Sequence, residues 1–205
     1  MAMAGVTAFW AVSLLLVLVP GADWAYAISA GLRHRTIVPA VGGLLAGYVV
    51  LTLVVAAGVA ALVSRSPLVL TALTAAGAVY LVWLGITTVT SPSTPQATED
   101  EYTGSWVGRA AKGAGISGLN PKALLLFLAF LPQFVARGAG MPFAAQIAVL
   151  GLVHTANCAV VYVGVGATAR RVLRTRPAVA TAVSRCSGAA MIVIGVLLLA
   201  ERLLP

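Results

Sequence analysis

Six stretches of this chain are each long and apolar enough to cross a lipid bilayer, and no other feature restricts its fold so severely. They run over 5–31, 38–63, 67–90, 110–136, 142–168 and 178–203, where the hydrocarbon layer asks for about 20 mostly apolar residues. Backbone polar groups inside lipid must be satisfied within their own segment, so these stretches are expected to be helices. The chain is 60% hydrophobic and 9% charged, with a mean hydropathy of +1.02, against roughly 25% charged in soluble domains. The expected fold class is all-α, a polytopic membrane protein with six transmembrane helices. A net charge of +8 raises the question of nucleic acid. The basic residues lie at the ends of apolar runs, however, and no basic patch with interleaved aromatics is present, so no nucleic-acid partner is expected. They serve topology and contact with lipid headgroups, which makes the bilayer the first partner.

The segment Ala25-Tyr26-Ala27 resembles a small-residue cleavage site. No Lys or Arg precedes it and the apolar run outlasts a signal core, so the first thirty residues read as a membrane span. Cys158 and Cys186 sit in separate apolar segments and read as small buried hydrophobes, with no disulfide framework, no metal spacing and no cofactor.

The connections give the orientation. Loops after the first, third and fifth spans hold Arg33, Arg35, Arg109, Lys112, Arg170, Arg171, Arg174 and Arg176, against Arg65, Arg137 and Arg202 on the other side. Eight basic residues against three place the first set in the cytoplasm and both termini outside. The run from Arg170 to Arg176 reads as an anchor to anionic lipid. The longest connection, from Ser91-Pro92 through Glu99-Asp100-Glu101, is polar and proline-rich and reads as a flexible linker. The chain thus divides into a first three-helix repeat (1–90), a cytoplasmic linker (91–109) and a second three-helix repeat (110–205). Setting residue 67 against 177 matches Pro67/Pro177, Val69/Val179, Thr71/Thr181, Ala72/Ala182 and Gly85/Gly195. Pro20/Pro121 and Gly47/Gly151 pair at smaller offsets. A repeat with an odd number of spans enters the membrane the opposite way the second time, so the expected repeat is an inverted three-plus-three.

Two spans are broken at matching places, by Pro20-Gly21-Ala22-Asp23 in the first and Asn120-Pro121-Lys122 in the fourth. Proline removes a backbone donor and clashes one turn back, Gly21 loosens the helix further, and Asn120 before a proline is biased away from helical geometry. Freed backbone groups cost several kcal/mol in hydrocarbon unless protein or water satisfies them, so such breaks belong beside a cavity. At 1.5 Å per residue, Pro20 lies roughly 22 Å from the outer start of its span and Pro121 roughly 16 Å from the inner start of its own, which puts both near one depth. Asp23 is the only acid, and Lys122 the only lysine, well inside an expected span. An ionisable residue at that depth is a functional hypothesis by default. Three readings stay open: Asp23 and Lys122 pair and tie spans one and four together, they line a path for a zwitterion or proton, or Lys122 snorkels to the interface. A half-helix resuming after a break presents unpaired N–H groups that suit a carboxylate.

The same residues carry a resemblance. Val19-Pro20-Gly21-Ala22-Asp23 resembles the Pro-Gly-Pro signature of the LysE/RhtB amino-acid exporters, with Ala22 where many members have a second proline. Gly118-Leu119-Asn120-Pro121-Lys122-Ala123, followed by Phe127-Leu128-Ala129-Phe130-Leu131-Pro132-Gln133-Phe134, is similar to the segment of their fourth span. Ala76 through Gly85 looks like their third. The resemblance implies an inner-membrane secondary transporter that moves amino acids or close analogues outward by proton antiport. The paired breaks themselves give the candidate substrate-binding or coupling residues Pro20, Gly21, Asp23, Asn120, Pro121 and Lys122, to which His154 and Asn157 are added below.

His154 and Asn157 lie one turn apart on one face of the fifth span. His154 either relays a proton or packs with its hydrogen bonds satisfied. Arg185 reads as snorkelling. Gly43-Leu44-Leu45-Ala46-Gly47 is a GxxxG match for close helix packing within one protomer or between two, which leaves a homodimer open. Tyr48, Tyr80 and Tyr162 read as packing or interfacial residues, and Trp10 and Trp106 as interface belts. A metal-cation exporter is the alternative, but one carboxylate and one histidine within the spans are few ligands. A membrane enzyme would need Ser117 to meet His154, and a scaffold would leave Asp23 and Lys122 without a task.

Overall fold

The second span forms where the apolar run dictates it. Helix α3 covers Val38–Val63, with Pro39 in its first turn, where a missing N–H costs nothing. The computed structural model describes residues 3–63, 67–91, 105–120, 123–124, 126–136 and 140–172, and helical positions between 182 and 200. The other helices are α1 (Met3–Val17), α2 (Ala22–Arg33), α4 (Pro67–Thr90), α5 (Trp106–Gly118) and α6 (Phe143–Val172). A π-helical turn (Leu126–Phe130) and a 3-10 turn (Leu131–Phe134) lie between α5 and α6. No strand occurs among the described residues. Val38–Gly58 and Phe143–Ala169 are each long and apolar enough to cross a membrane. Gly5–Val17 with Ala22–Leu32 makes a third candidate span, bent by 63°.

The bend has a local cause. Pro20 cannot donate to the Leu16 carbonyl, which accepts from the Val19 amide at 3.3 Å instead. The Val17 carbonyl, freed in the same way, accepts from the indole N–H of Trp24 at 2.8 Å. The chain resumes helix after an extended Gly21, whose carbonyl accepts from the Ala25 amide at 3.0 Å.

The fourth segment, expected as a span over 110–136 broken at Asn120-Pro121-Lys122, has its helix end just before that break and a second irregularity beyond it. Helix α5 begins at Trp106, capped by Ser105, whose hydroxyl accepts from the Gly108 amide at 3.2 Å. It stops at Gly118, and the Leu124 amide returns to the Asn120 carbonyl at 2.9 Å. From Leu126 to Phe134 the backbone is π and then 3-10 rather than α, with Pro132 in the first turn of the 3-10 helix. Proline bars the regular bond one turn back, and the wider and tighter turns absorb the mismatch. Pro121 and Lys122 lie outside the described residues.

Small residues set the packing. Gly43 and Gly47 of α3 lie against Ala110, Ala114 and Ser117 of α5, and Gly113 lies against Ala40 and Leu44. The Gly43–Gly47 match is thus filled within the protomer. Helix α6 lies against α1, α2 and α3, with Gly31 meeting the Gly166 backbone. On α4, Gly85 meets Gly188 and Ile192, while Gly195 meets Ala78 and Val82. Phe9, Leu44, Phe127, Leu131, Ile147 and Leu150 are fully buried between these helices. Val50, Leu53 and Val54 of α3 and Val160 of α6 point outward, as lipid-facing surfaces do.

The α3–α5 seam is testable with adjacent glycines. A Cβ on Gly43 would lie 2.8 Å from the Ala110 Cα, whereas one on Gly42 would meet nothing within 4 Å. Gly43→Ala should lower stability by about 1–3 kcal/mol, read as the thermal midpoint of detergent-solubilised protein. Gly42→Ala should leave the midpoint unchanged, and equal midpoints for the two variants would contradict this packing.

Candidate functional site

Asp23 stands in the first turn of α2, immediately after the break. Its side chain is 5% exposed, so its carboxylate depends on protein donors. The Ser117 hydroxyl, one residue before the end of α5, donates to Oδ1 at 2.7 Å. The Asn120 side-chain amide donates to Oδ2 at 3.0 Å, and the Tyr48 hydroxyl of α3 donates to the same oxygen at 3.3 Å. The Tyr162 hydroxyl of α6 lies 3.3 Å from that of Tyr48 and extends the chain of polar groups. Donors from α3 and from the end of α5 therefore converge on one carboxylate of α2, with α6 joined through Tyr162. The first break places the start of α2, and with it Asp23, against these donors.

A cavity of about 290 Å³ adjoins the cluster. Its wall combines the first break (Val19, Pro20, Gly21, Ala22, Asp23) with Asn120, Tyr48, Tyr162 and His154. Leu16, Val17, Ala123 and Leu126 supply apolar surface, and Thr87, Thr88 and Ser91 at the end of α4 supply hydroxyls. No side-chain bond caps the N-terminus of α2, where Gly21 is the N-cap residue. That end of the helix offers backbone N–H groups and a partial positive charge at the cavity wall.

The polar residues behind the cavity form a second network. Asn157 donates to the Trp10 carbonyl and to the Ser13 hydroxyl, each at 3.1 Å. The Ser13 hydroxyl also lies 2.9 Å from His154 Nδ1. The other ring nitrogen lies 3.4 Å from Cys158 Sγ. Both ring nitrogens of His154 thus lie within hydrogen-bond distance of a polar partner, and the direction of each bond follows the tautomer. Its ring packs edge-on against Tyr48 and Phe127, with centroids 4.9 and 5.2 Å away.

Of the residues expected from sequence, the structure brings Pro20, Gly21, Asp23, Asn120 and His154 to one cavity. Asn157 supports it from behind through Ser13. Ser117 binds Asp23 rather than His154, so the Ser–His pair required of a membrane enzyme does not form between those two residues. Tyr48, Tyr162 and Ser117 were not expected as parts of this cluster. The signal lay in their hydroxyls, since a buried tyrosine or serine in an apolar run needs a partner. No group of three His, Cys, Asp or Glu that could hold a metal occurs among the described residues.

Fold and site together define a class: a multi-pass helical membrane protein in which two interrupted segments present polar side chains to an internal cavity. Comparison with known proteins sharpens this. The profile of the LysE type translocators matches residues 14–202, and the chain belongs to that family. It is 30% identical over 200 residues to a homoserine/homoserine lactone efflux protein of Salmonella typhimurium, a match covering 95% of this chain and 96% of that protein. It is 28% identical over 133 residues to a leucine efflux protein of Klebsiella pneumoniae, covering 63% of each. An uncharacterised membrane protein of Vibrio cholerae is 32% identical over 130 residues, where the match spans 63% of the relative's length. No solved structure matches the chain.

The Asp23 cluster makes a stability prediction independent of transport. Hydrogen bonds to charged groups contribute about 1.5–3 kcal/mol. Ser117→Ala removes the shortest of the three and should destabilise the solubilised protein by that order. Tyr48→Phe, which removes a bond of 3.3 Å, should cost less. Thermal unfolding of the two variants side by side checks the ranking, and the reverse order would show that Ser117 is not the main donor.

Proposed function

We propose that this protein is a secondary transporter that exports amino acids or close analogues through the cavity beside Asp23. The observation that carries the reading is the convergence of both broken segments on one buried carboxylate at a cavity wall. Discontinuous helices meeting near the midplane form the substrate and coupling sites of repeat-built transporters. In this reading Asp23 takes the substrate ammonium or the exchanging proton. The uncapped N-terminus of α2, with Lys122, takes the carboxylate. His154 and Asn157 hold the wall on which Tyr48 packs. The relatives carry out efflux of homoserine, leucine or cysteine/O-acetylserine by name. Asp23 is the only charged side chain among the described residues lining the cavity, which suits a short uncharged substrate side chain.

The architecture that goes with this reading has six spans in an inverted three-plus-three repeat, residues 1–90 and 110–205, joined by the 91–109 linker. The contacts of α4 support it. Adding the repeat offset of 110 to Ala78, Val82 and Gly85 gives Gly188, Ile192 and Gly195. Gly85 meets Gly188 and Ile192, and Gly195 meets Ala78 and Val82. Each contact thus has its counterpart with the two halves exchanged, as a two-fold axis requires. The excess of Lys and Arg in alternate loops supports termini outside the cell membrane, and outward transport follows by proton antiport.

The test loads cells with dipeptides of leucine, homoserine and cysteine and follows release of each liberated amino acid with and without the protein. At least one should leave faster when the protein is present, and Asp23→Asn should abolish that gain without reducing the amount of protein in the membrane. If none leaves faster, the exporter reading fails. If Asp23→Asn exports as the wild type does, Asp23 has no part in the mechanism.

A further inference from the structure

Arg109 carries the one buried side-chain polar atom among the described residues that has no hydrogen-bond partner, its Nε. Buried unpaired donors are rare in native proteins and call for a cause. Local structure supplies none. Arg109 is the fourth residue of α5, where the positive end of the helix dipole disfavours a cation. The helix start is already capped by Ser105.

Its position on α5 and one backbone contact relate Arg109 to the Asp23 cluster. Arg109, Gly113 and Ser117 succeed one another at four-residue spacing and share one face of α5, and Ser117 donates to Asp23. On α2, Tyr26 stands one turn after Asp23, and its hydroxyl donates to the Arg109 carbonyl at 2.7 Å. The same two helices therefore touch at Asp23–Ser117 and again at Tyr26–Arg109. Eight helical residues separate the contacts on α5, about 12 Å.

We propose that Arg109 captures the substrate carboxylate at the cytoplasmic mouth of the path, at a seam that Tyr26 closes. When α2 and α5 part there, the guanidinium offers a planar fork of donors matched to a carboxylate. Arg109 does not line the cavity beside Asp23. Capture at Arg109 and binding at Asp23 are therefore successive steps. The inference rests on the exporter reading and its orientation. A lipid phosphate is the other anion that an interfacial arginine meets. The alignment of Arg109 with Ser117, the Asp23 donor, on one face of α5 favours the substrate.

The experiment uses inside-out membrane vesicles, whose outer surface is the cytoplasmic face, and measures uptake of labelled leucine, homoserine and cysteine and of their amides. The amides keep the ammonium and lack the carboxylate. Arg109→Gln should raise KM for the acids by about tenfold or more, the least a charge-assisted bond is worth. Vmax for the acids and KM for the amides should hold at their wild-type values. Arg109→Lys keeps the charge without the fork and should give an intermediate KM. It carries the same comparison if Arg109→Gln fails to reach the membrane. Unchanged KM for the acids in both variants overturns the proposal. So does an equal loss for acids and amides, which assigns Arg109 to lipid or structure instead. If wild-type vesicles take up none of these compounds, the exporter reading itself falls, and this proposal with it.

Discussion

A carboxylate buried among apolar helices is tolerable only if its oxygens are hydrogen-bonded, and satisfying Asp23 organises the rest of this molecule. Its three donors come from the end of α5, the second residue beyond that helix and the middle of α3. To reach them, α2 must start where it does, which requires the 63° bend. The bend in turn frees the Leu16 and Val17 carbonyls, which Val19 and Trp24 satisfy. Helix α3 must also approach α5 closely enough for Tyr48 and Ser117 to share one acceptor group, and the glycines at 43, 47 and 113 permit that approach. Proline, glycine and acid are thus parts of one requirement.

Much of this was legible in the sequence, and the illegible part has a physical pattern. The bounds of α3 and α4 follow from apolar runs closed by prolines and polar residues. The first break was legible because Pro20 and Gly21 act on the backbone within a few residues. The fourth segment was harder. Pro132 alone does not say whether the preceding turn widens to π, tightens or unwinds, because the choice depends on the packing of Phe127 and Phe130 against other helices. The site divides in the same way. Asp23 and Asn120 stand out because their chemistry is out of place in lipid. Tyr48, Tyr162 and Ser117 do not stand out, because an aromatic or a small hydroxyl residue is ordinary in a membrane helix. Only the tertiary arrangement makes them partners of the acid.

His154 shows how an identical residue can read differently once its neighbours are known. In sequence it was as fit for a proton relay as for packing. The network around it fills both ring nitrogens, with Ser13 on one side and Cys158 on the other. Two aromatic rings fix its plane. A ring so held packs against Tyr48, whose hydroxyl donates to the acid.

In the proposed exporter, the hydrogen-bonding capacity of Asp23 links occupancy to helix arrangement. An ionised carboxylate has about four acceptor positions, and three are filled by groups from α3, α5 and Asn120 just beyond α5. One position remains for an ammonium or a proton that comes from the cavity. A second incoming donor, as an ammonium with several N–H groups supplies, must displace one of the three. Displacing Ser117 loosens α2 from α5, whereas displacing Tyr48 loosens α2 from α3 and releases the Tyr48–Tyr162 pair. A ligand shifts a conformational equilibrium only through differential contacts in its two states. Competition for the oxygens of one buried acid supplies such a difference, because the Ser117 and Tyr48 donors belong to different helices.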